Sequence, residues 1–294
     1  MRQSSGPGAG FVEGRGNVHP FSHVIVVLAG AIVQPLLFAA LTLLLLHGVL
    51  GSWMWRRRIQ EQGARWSVWR HELVFAILAF LSAGLVRLLI EGLHERGFIR
   101  FRSGPVSLAL LLSQLALYFL LFDFCNYWFH RWMHTGWRYR FHQVHHVSRT
   151  PNALSALSFH PLEALVTSGF TLVLLVAMDF HVHALLAISV LGMLQNLMIH
   201  CGHELLPWWW HRNPLTRLLV SPTYHDRHHE LADRNFGGLT TLWDRLFGTS
   251  EPDFELRYDA VHARIRSAAS PSRIPELEGG EGIPAEAPQA GLRD

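Results

Sequence analysis

The chain has 294 residues, half of them hydrophobic and only 16% charged, against about 25% charged in a typical soluble domain; that deficit points to a membrane protein. The formal net charge is +3 and every basic residue is Arg, placed beside apolar runs rather than in a dense stripe, which argues against a nucleic-acid partner. Cys125 and Cys201 are the only cysteines and show no CxxC spacing, which excludes a disulfide framework and a thiolate zinc site.

Residues 1–22 are rich in Gly, Ser and Pro and are expected to be a disordered arm. Val24–Leu46 is a nearly unbroken apolar run of 23 residues, and a bilayer core needs about 20 in a helix. Leu73–Ile90 and Val106–Phe122 are the second and third candidate spans, so that residues 23–117 read as transmembrane helices. Ala164–Met178 and Ala184–Ile199 follow as a helical hairpin within residues 163–200. Each arm is short for a crossing, and the lengths leave open whether the hairpin spans or re-enters. Residues 251–294 read as a tail, largely disordered, with Pro, Gly, Ser and Glu prominent from about Ala263.

Five arginines (Arg56, Arg57, Arg58, Arg65, Arg70) follow the first span and three (Arg96, Arg100, Arg102) follow the second. That bias puts the first loop in the cytoplasm. Counting crossings then puts the His130–His146 region and everything after His200 on the same side. The N-terminal arm is expected on the other. Arg-only usage also suits a GC-rich genome, so a bacterial inner membrane is the expected location.

The 20 histidines are the main chemical signal. His130 and His134 are spaced i, i+4. His142, His145 and His146 are spaced i, i+3, i+4, and His225, His228 and His229 repeat that pattern. On helices each set shares one face. His200, at the end of the hairpin, is the natural ninth ligand. Imidazole suits iron, copper, zinc and nickel, and one ion rarely takes more than about six ligands, so nine histidines imply two metals. Haems held by bis-His pairs are the rival metal reading; they need facing helices rather than triplets on one face. A metal transporter would set ligands along a path inside the spans, whereas these lie just beyond them. His19, His23, His47, His71 and His94 are isolated and read as ordinary polar residues. His160, before Pro161, reads as a helix cap or a packing residue, and His203 as a packing residue. Trp208, Trp209 and Trp210 read as an interfacial aromatic belt.

Four blocks carry a family likeness: "DFCNYWFHRWMH" (Asp123–His134), "FHQVHHVSRTPNALSALSFHPLE" (Phe141–Glu163), "NLMIHCGHELLP" (Asn196–Pro207) and "SPTYHDRHHELADRNFGGLTTLWDRLFGT" (Ser221–Thr249). The chain resembles the membrane fatty acid hydroxylase / sterol desaturase superfamily over roughly residues 118–250. The resemblance implies an all-α, polytopic membrane bundle with a cytoplasmic histidine-rich helical cap that holds a dimetal site. It implies two non-haem iron ions, O2 as co-substrate and a membrane lipid, sterol or fatty acyl, that is hydroxylated or desaturated; zinc is an expected substitute in purified protein. A lipid ether monooxygenase and a non-catalytic metal-binding protein are the alternatives. Carried over by position, the ligands are His130, His134, His142, His145, His146, His200, His225, His228 and His229. Asn196 is expected as a weak ligand or a supporting partner. Asp123 is expected to accept a ligand N–H group, a common way to orient imidazoles, and Asp244 to do the same or to pair with Arg245 or Arg217. With no four-cysteine set and no GxGxxG, the two electrons must come from a separate carrier of ferredoxin/reductase or cytochrome type.

Overall fold

The computed structural model describes residues 20–60 and 66–269. The expected N-terminal arm lies outside them except for residues 20–22, which open the first helix; residues 270–294 of the expected tail also lie outside.

The fold is all-α, built on four helices long and apolar enough to cross a bilayer and one shorter apolar helix. Helix α1 (Pro20–Leu43) runs into a π-helical turn (Leu44–Val49) and a short α2 (Gly51–Trp55). Helix α3 (Trp66–Glu95) returns through the bundle. Strand β1 (Phe101–Arg102) precedes α4 (Leu108–Met133), which Ser107 caps by accepting from the Leu110 N–H at 3.2 Å. Helix α4 runs 11 residues past the expected end at Phe122, because no Gly or Pro interrupts it before Gly136. The first histidine pair therefore sits at the end of a spanning helix rather than in a separate cap element.

Helix α5 (Tyr139–His146) carries the second histidine set. Helix α6 (Pro161–Ala177) starts with Pro at its first position, and strand β2 (Phe180–His181) links it to α7 (Val182–His200). Helix α8 (Pro222–Leu231) ends on Ala232 in the left-handed conformation. Helices α9 (Leu242–Leu246) and α10 (Phe254–Ala269) close the described chain.

Helix α3 packs between α1 and α6, and α4 packs on α6 and α7. The α1–α3 approach is close: a Cβ on Gly84 would lie 2.8 Å from Leu28 Cδ2, the small-residue contact by which helices meet in lipid. Leu37, Leu89, Leu112, Leu120, Val173 and Leu186 point outward instead, as they should where the surrounding solvent is hydrocarbon.

Two ends of the bundle are distinguishable. At one, β1 pairs with β2, Gln114 Nε2 donates to the Asp179 carbonyl at 3.0 Å, and His23 at the start of α1 meets Glu91 near the end of α3. At the other lie all three histidine sets, α10 and the loop of Arg56–Arg58. That loop is tied down by backbone bonds from Ile59 N to Gly202 O and from Glu204 N to Arg57 O, and by Arg264 donating to the Arg58 and Ile59 carbonyls. The α6–α7 hairpin thus reaches from the histidine end to the turn level of α3 and α4.

The tail differs from expectation. Residues 254–269 form α10, because Phe254, Tyr258 and Val261 recur at helical spacing and are buried. Phe254 and Tyr258 pack with Ile199, Val220 and Tyr224. The charged residues between them mask that stripe in a composition reading.

Candidate metal centre

Each histidine set is delivered by a helix end. His130 comes from the last turn of α4, and His134 is its C-cap residue. His142, His145 and His146 come from one face of α5, His200 from the last residue of α7, and His225, His228 and His229 from α8. Ser221 and Pro222 start α8 so that its histidines fall in the bundle interior, where all three are buried.

The nine imidazoles form two groups. His130, His134, His142, His146 and His228 make one, and His145, His200, His225 and His229 the other; within each group one ring nitrogen per residue lies within 4.8 Å of all the others. The sequence marks which histidines converge. It does not show that each triplet is divided, with α5 and α8 each contributing to both groups.

Ring tautomers follow from the Nδ1 partners. His130 Nδ1 lies 2.7 Å from the Phe236 carbonyl, His145 Nδ1 3.1 Å from Ser158 O, His200 Nδ1 2.8 Å from Asn196 O and His228 Nδ1 2.6 Å from Arg234 O. A carbonyl only accepts, so each of these Nδ1 atoms carries the proton and each Nε2 presents a lone pair. His142 Nδ1 meets Glu163 Oε1 at 2.7 Å, and an ionised Glu163 holds it the same way. Those lone pairs point at one another. His130 and His142 face each other Nε2 to Nε2 at 2.9 Å, and His145 and His200 at 3.3 Å. His146 Nε2 lies 3.1 Å from both His142 and His228. The buried His134 Nε2 and both ring nitrogens of His229 have no hydrogen-bond partner. Facing lone pairs repel, and a buried unpartnered nitrogen costs about 1–3 kcal/mol. A cation in each group removes both penalties at once, so the residues present fit two metal ions.

Protonation does not offer another way out. Burial, then the neighbouring imidazoles, holds His142, His145, His225, His228 and His229 well below the usual histidine range, and His134 below it also. His146 is pushed down to about 3, with burial the largest cause. The rings stay neutral, the state a metal requires.

The supporting residues differ in part from expectation. Asp123 and Asp244 touch none of the nine rings. Asp244 accepts from Phe236 N at 2.9 Å and Gly237 N at 2.7 Å, and Asp123 from Leu239 N at 3.1 Å and Trp243 Nε1 at 3.0 Å. Both act one step back: they fix the loop 235–241, whose Phe236 carbonyl orients His130. Asn196 sends its side-chain amide to Ala156 O at 2.7 Å and supports His200 through its backbone carbonyl. Glu163 is the residue that sequence reasoning passed over. Its signal was there: a single carboxylate near the start of an otherwise apolar helix. His160 caps α6, accepting from Leu162 N at 3.2 Å. His203 is buried outside both groups, near Cys201 O. His23, His71 and His94 bond Glu91, Val144 O and Ile99 O. His19 and the side chain of His47 lie outside the described parts.

A cavity of about 460 Å³ opens on the centre. His130, His142, His145, His200 and His225 line one end, and Tyr118 and Leu185 the other. Along α4 that is 12 residues, or about 18 Å at the helical rise. Most of its wall is apolar: Phe80, Phe119, Phe122, Phe129, Leu157, Ile188 and Met193.

Residues 115–249, which contain all nine histidines, match the fatty acid hydroxylase family. The chain is also similar to curated proteins whose names include sterol oxidases and desaturases. Methylsterol monooxygenase 1-3 of Arabidopsis thaliana is 29% identical over 60% of this chain and 61% of its own length. A Delta(7)-sterol 5(6)-desaturase of Gibberella zeae is 29% identical over 59% of this chain and 47% of its own. Residues 115–249 belong to the membrane fatty acid hydroxylase / sterol desaturase superfamily. A very-long-chain aldehyde decarbonylase of Oryza sativa subsp. indica is 33% identical over 48% of this chain and 53% of its own. The alignments thus span about half to three fifths of these relatives. No solved structure is a significant match. The segment that the family model matches carries all nine histidines and much of the cavity lining.

Proposed function

We propose that this protein is a membrane-bound non-haem di-iron oxidoreductase that uses O2 and two electrons to hydroxylate or desaturate an aliphatic carbon of a lipid, sterol or fatty acyl in type. The observation that carries the reading is the junction of two groups of inward-facing imidazole lone pairs with an apolar cavity inside the bundle. The named activities of the sterol relatives support the same class of chemistry.

His130, His134, His142, His146 and His228 would hold one ion, and His145, His200, His225 and His229 the other. Iron bound there supplies the oxidant for an unactivated C–H bond, which no side-chain acid or base can attack. The protein's own residues position and shelter. Glu163 and the Phe236, Ser158, Asn196 and Arg234 carbonyls keep the proton on Nδ1 and so keep Nε2 turned inward. Phe122, Phe129 and Leu157 exclude water along the path of the lipid chain. Hydroxylation consumes O2, two electrons and two protons and yields an alcohol and one water; desaturation yields an alkene and two waters. The electrons come from a separate carrier. On the arginine bias of the first loop, the centre would face the cytoplasm.

Metal analysis of the purified protein tests the reading, together with lipid mass spectrometry of cells with and without the gene. Two ions per chain are expected, with a lipid that gains one oxygen or loses two hydrogens. One ion per chain, a haem absorption band or an unchanged lipid profile would overturn it.

A further inference from the structure

We infer that Asn126 forms, at the metal end of the cavity, a subsite for one uncharged oxygen of the lipid, a hydroxyl or an aldehyde carbonyl, carried close to the carbon that is oxidised. The inference rests on the lipid-oxidising reading above and deepens it.

Asn126 precedes His130 by four residues on α4, so the two share a face about 6 Å apart, and both line the cavity. An amide offers two donors and an acceptor. That of Asn126 is half-buried and has no hydrogen-bond or ion-pair partner among the described residues. Of the other polar side chains in the lining, the Tyr118 hydroxyl meets Thr171 at 2.7 Å, Thr167 bonds its own helix at 3.0 Å and the Asn196 amide bonds Ala156 O at 2.7 Å; Ser168 on α6 and Ser189 on α7 are without a partner among the described residues, as Asn126 is, but lie off the helix that carries His130.

The amide also abuts the backbone at Gly238. A Cβ on Gly238 would lie 3.0 Å from Asn126 Nδ2, so the side chain rests against a bare stretch of backbone. That stretch belongs to the loop secured by Asp123 and Asp244.

When a lipid fills the cavity, it strips water from Asn126. A pure hydrocarbon leaves the amide unpaired; an oxygen at that level pairs it. Sites built to bond a hydroxyl reject analogues that lack it far more strongly than apolar pockets distinguish one methylene from two. The oxygen is uncharged because no Arg among the described residues lines the cavity to balance a carboxylate or phosphate. Its distance from His130 puts it within a few bonds of the reacting carbon.

Competition against dehydroergosterol, a fluorescent sterol, on the metal-loaded protein in nanodiscs tests the subsite without turnover. Two matched pairs serve as competitors: cholestanol against cholestane, and octacosanal against octacosane. At least one oxygenated member should compete about tenfold or more better than its hydrocarbon, and which pair responds tells a sterol hydroxyl from an aldehyde. Asn126→Leu, similar in size, should abolish that preference while hydrocarbon competition stays within about twofold and both metals are retained. Asn126→Asp, which keeps an acceptor, should retain the preference for cholestanol if the sterol pair is the one that responds. No preference in either pair for the unaltered protein would overturn the subsite, as would a preference that survives Asn126→Leu. Preference without any lipid oxidation would instead sink the proposed reaction and leave the subsite standing.

Discussion

Glu163 shows how one side chain sets the state of a neighbour. It is buried, accepts from His142 Nδ1, and leaves its second oxygen without a partner. Its role is to keep a proton off His142 Nε2. Glu163→Leu should weaken metal binding by about 10- to 100-fold, while Glu163→Gln, which retains an acceptor, should lose less. Metal content after dialysis against a graded chelator measures both, and equal losses would refute the assignment. His228→Ala should abolish turnover while membrane insertion persists, because the spans lie elsewhere. His94→Ala should keep most activity, since His94 only bonds the Ile99 carbonyl at the far end of α3. A dead His94 variant beside an active His228 variant would reverse the ligand assignment.

The loop 234–241 is the element on which the larger group depends. Its Arg234 and Phe236 carbonyls orient His228 and His130. It is too tight for any side chain at Gly237, where a Cβ would come within 2.1 Å of Thr240 O and 2.9 Å of Asp244 Oδ2. Gly237→Ala must therefore spread the loop and turn both rings. None of the four rings of the other group takes its Nδ1 partner from this loop. Gly237→Ala should accordingly lower the metal content from two ions to one rather than to none. Loss of both, or of neither, would show that the groups do not have separate supports. Helix α10 is supported in a different way, by the burial of Phe254 and Tyr258 against the cap. It contributes packing, not ligands.

For the whole molecule the consequence is a bundle with two distinct ends. Cysteine labelling in a Cys125→Ser background reads this directly, because Cys201 is buried and Cys125 exposed. Arg56→Cys and Leu256→Cys, both at exposed positions of the histidine end, should react together with an impermeant reagent. Phe98→Cys, exposed at the opposite end, should react only from the other side. Labelling of all three from one side would break the spanning arrangement. Metal removal should act on the whole bundle as well, because it restores the repulsion between facing lone pairs in helices α4, α5, α7 and α8. An ion held at a thousand times its Kd contributes about 4 kcal/mol, so the chelated protein should melt at a clearly lower temperature, and readdition of iron should restore it.

By itself the sequence determined the class of the protein and the identity of the nine converging histidines. Long apolar runs have one stable solution in a bilayer, and His spacings of three and four put rings on one helix face whatever surrounds them. Local pattern is enough for both. Only the tertiary structure decided how α5 and α8 divide their histidines between two groups, that the α6–α7 hairpin runs the depth of the bundle, and that residues 254–269 fold back as a helix. It also decided that Asp123 and Asp244 hold a loop rather than a ring, and that Glu163 does hold one. Each of these depends on a contact between residues far apart in the chain: 21 residues for His142 and Glu163, 116 for Asp123 and Leu239. No periodicity encodes such a contact; it exists once the helices have packed and the buried polar atoms have had to find partners.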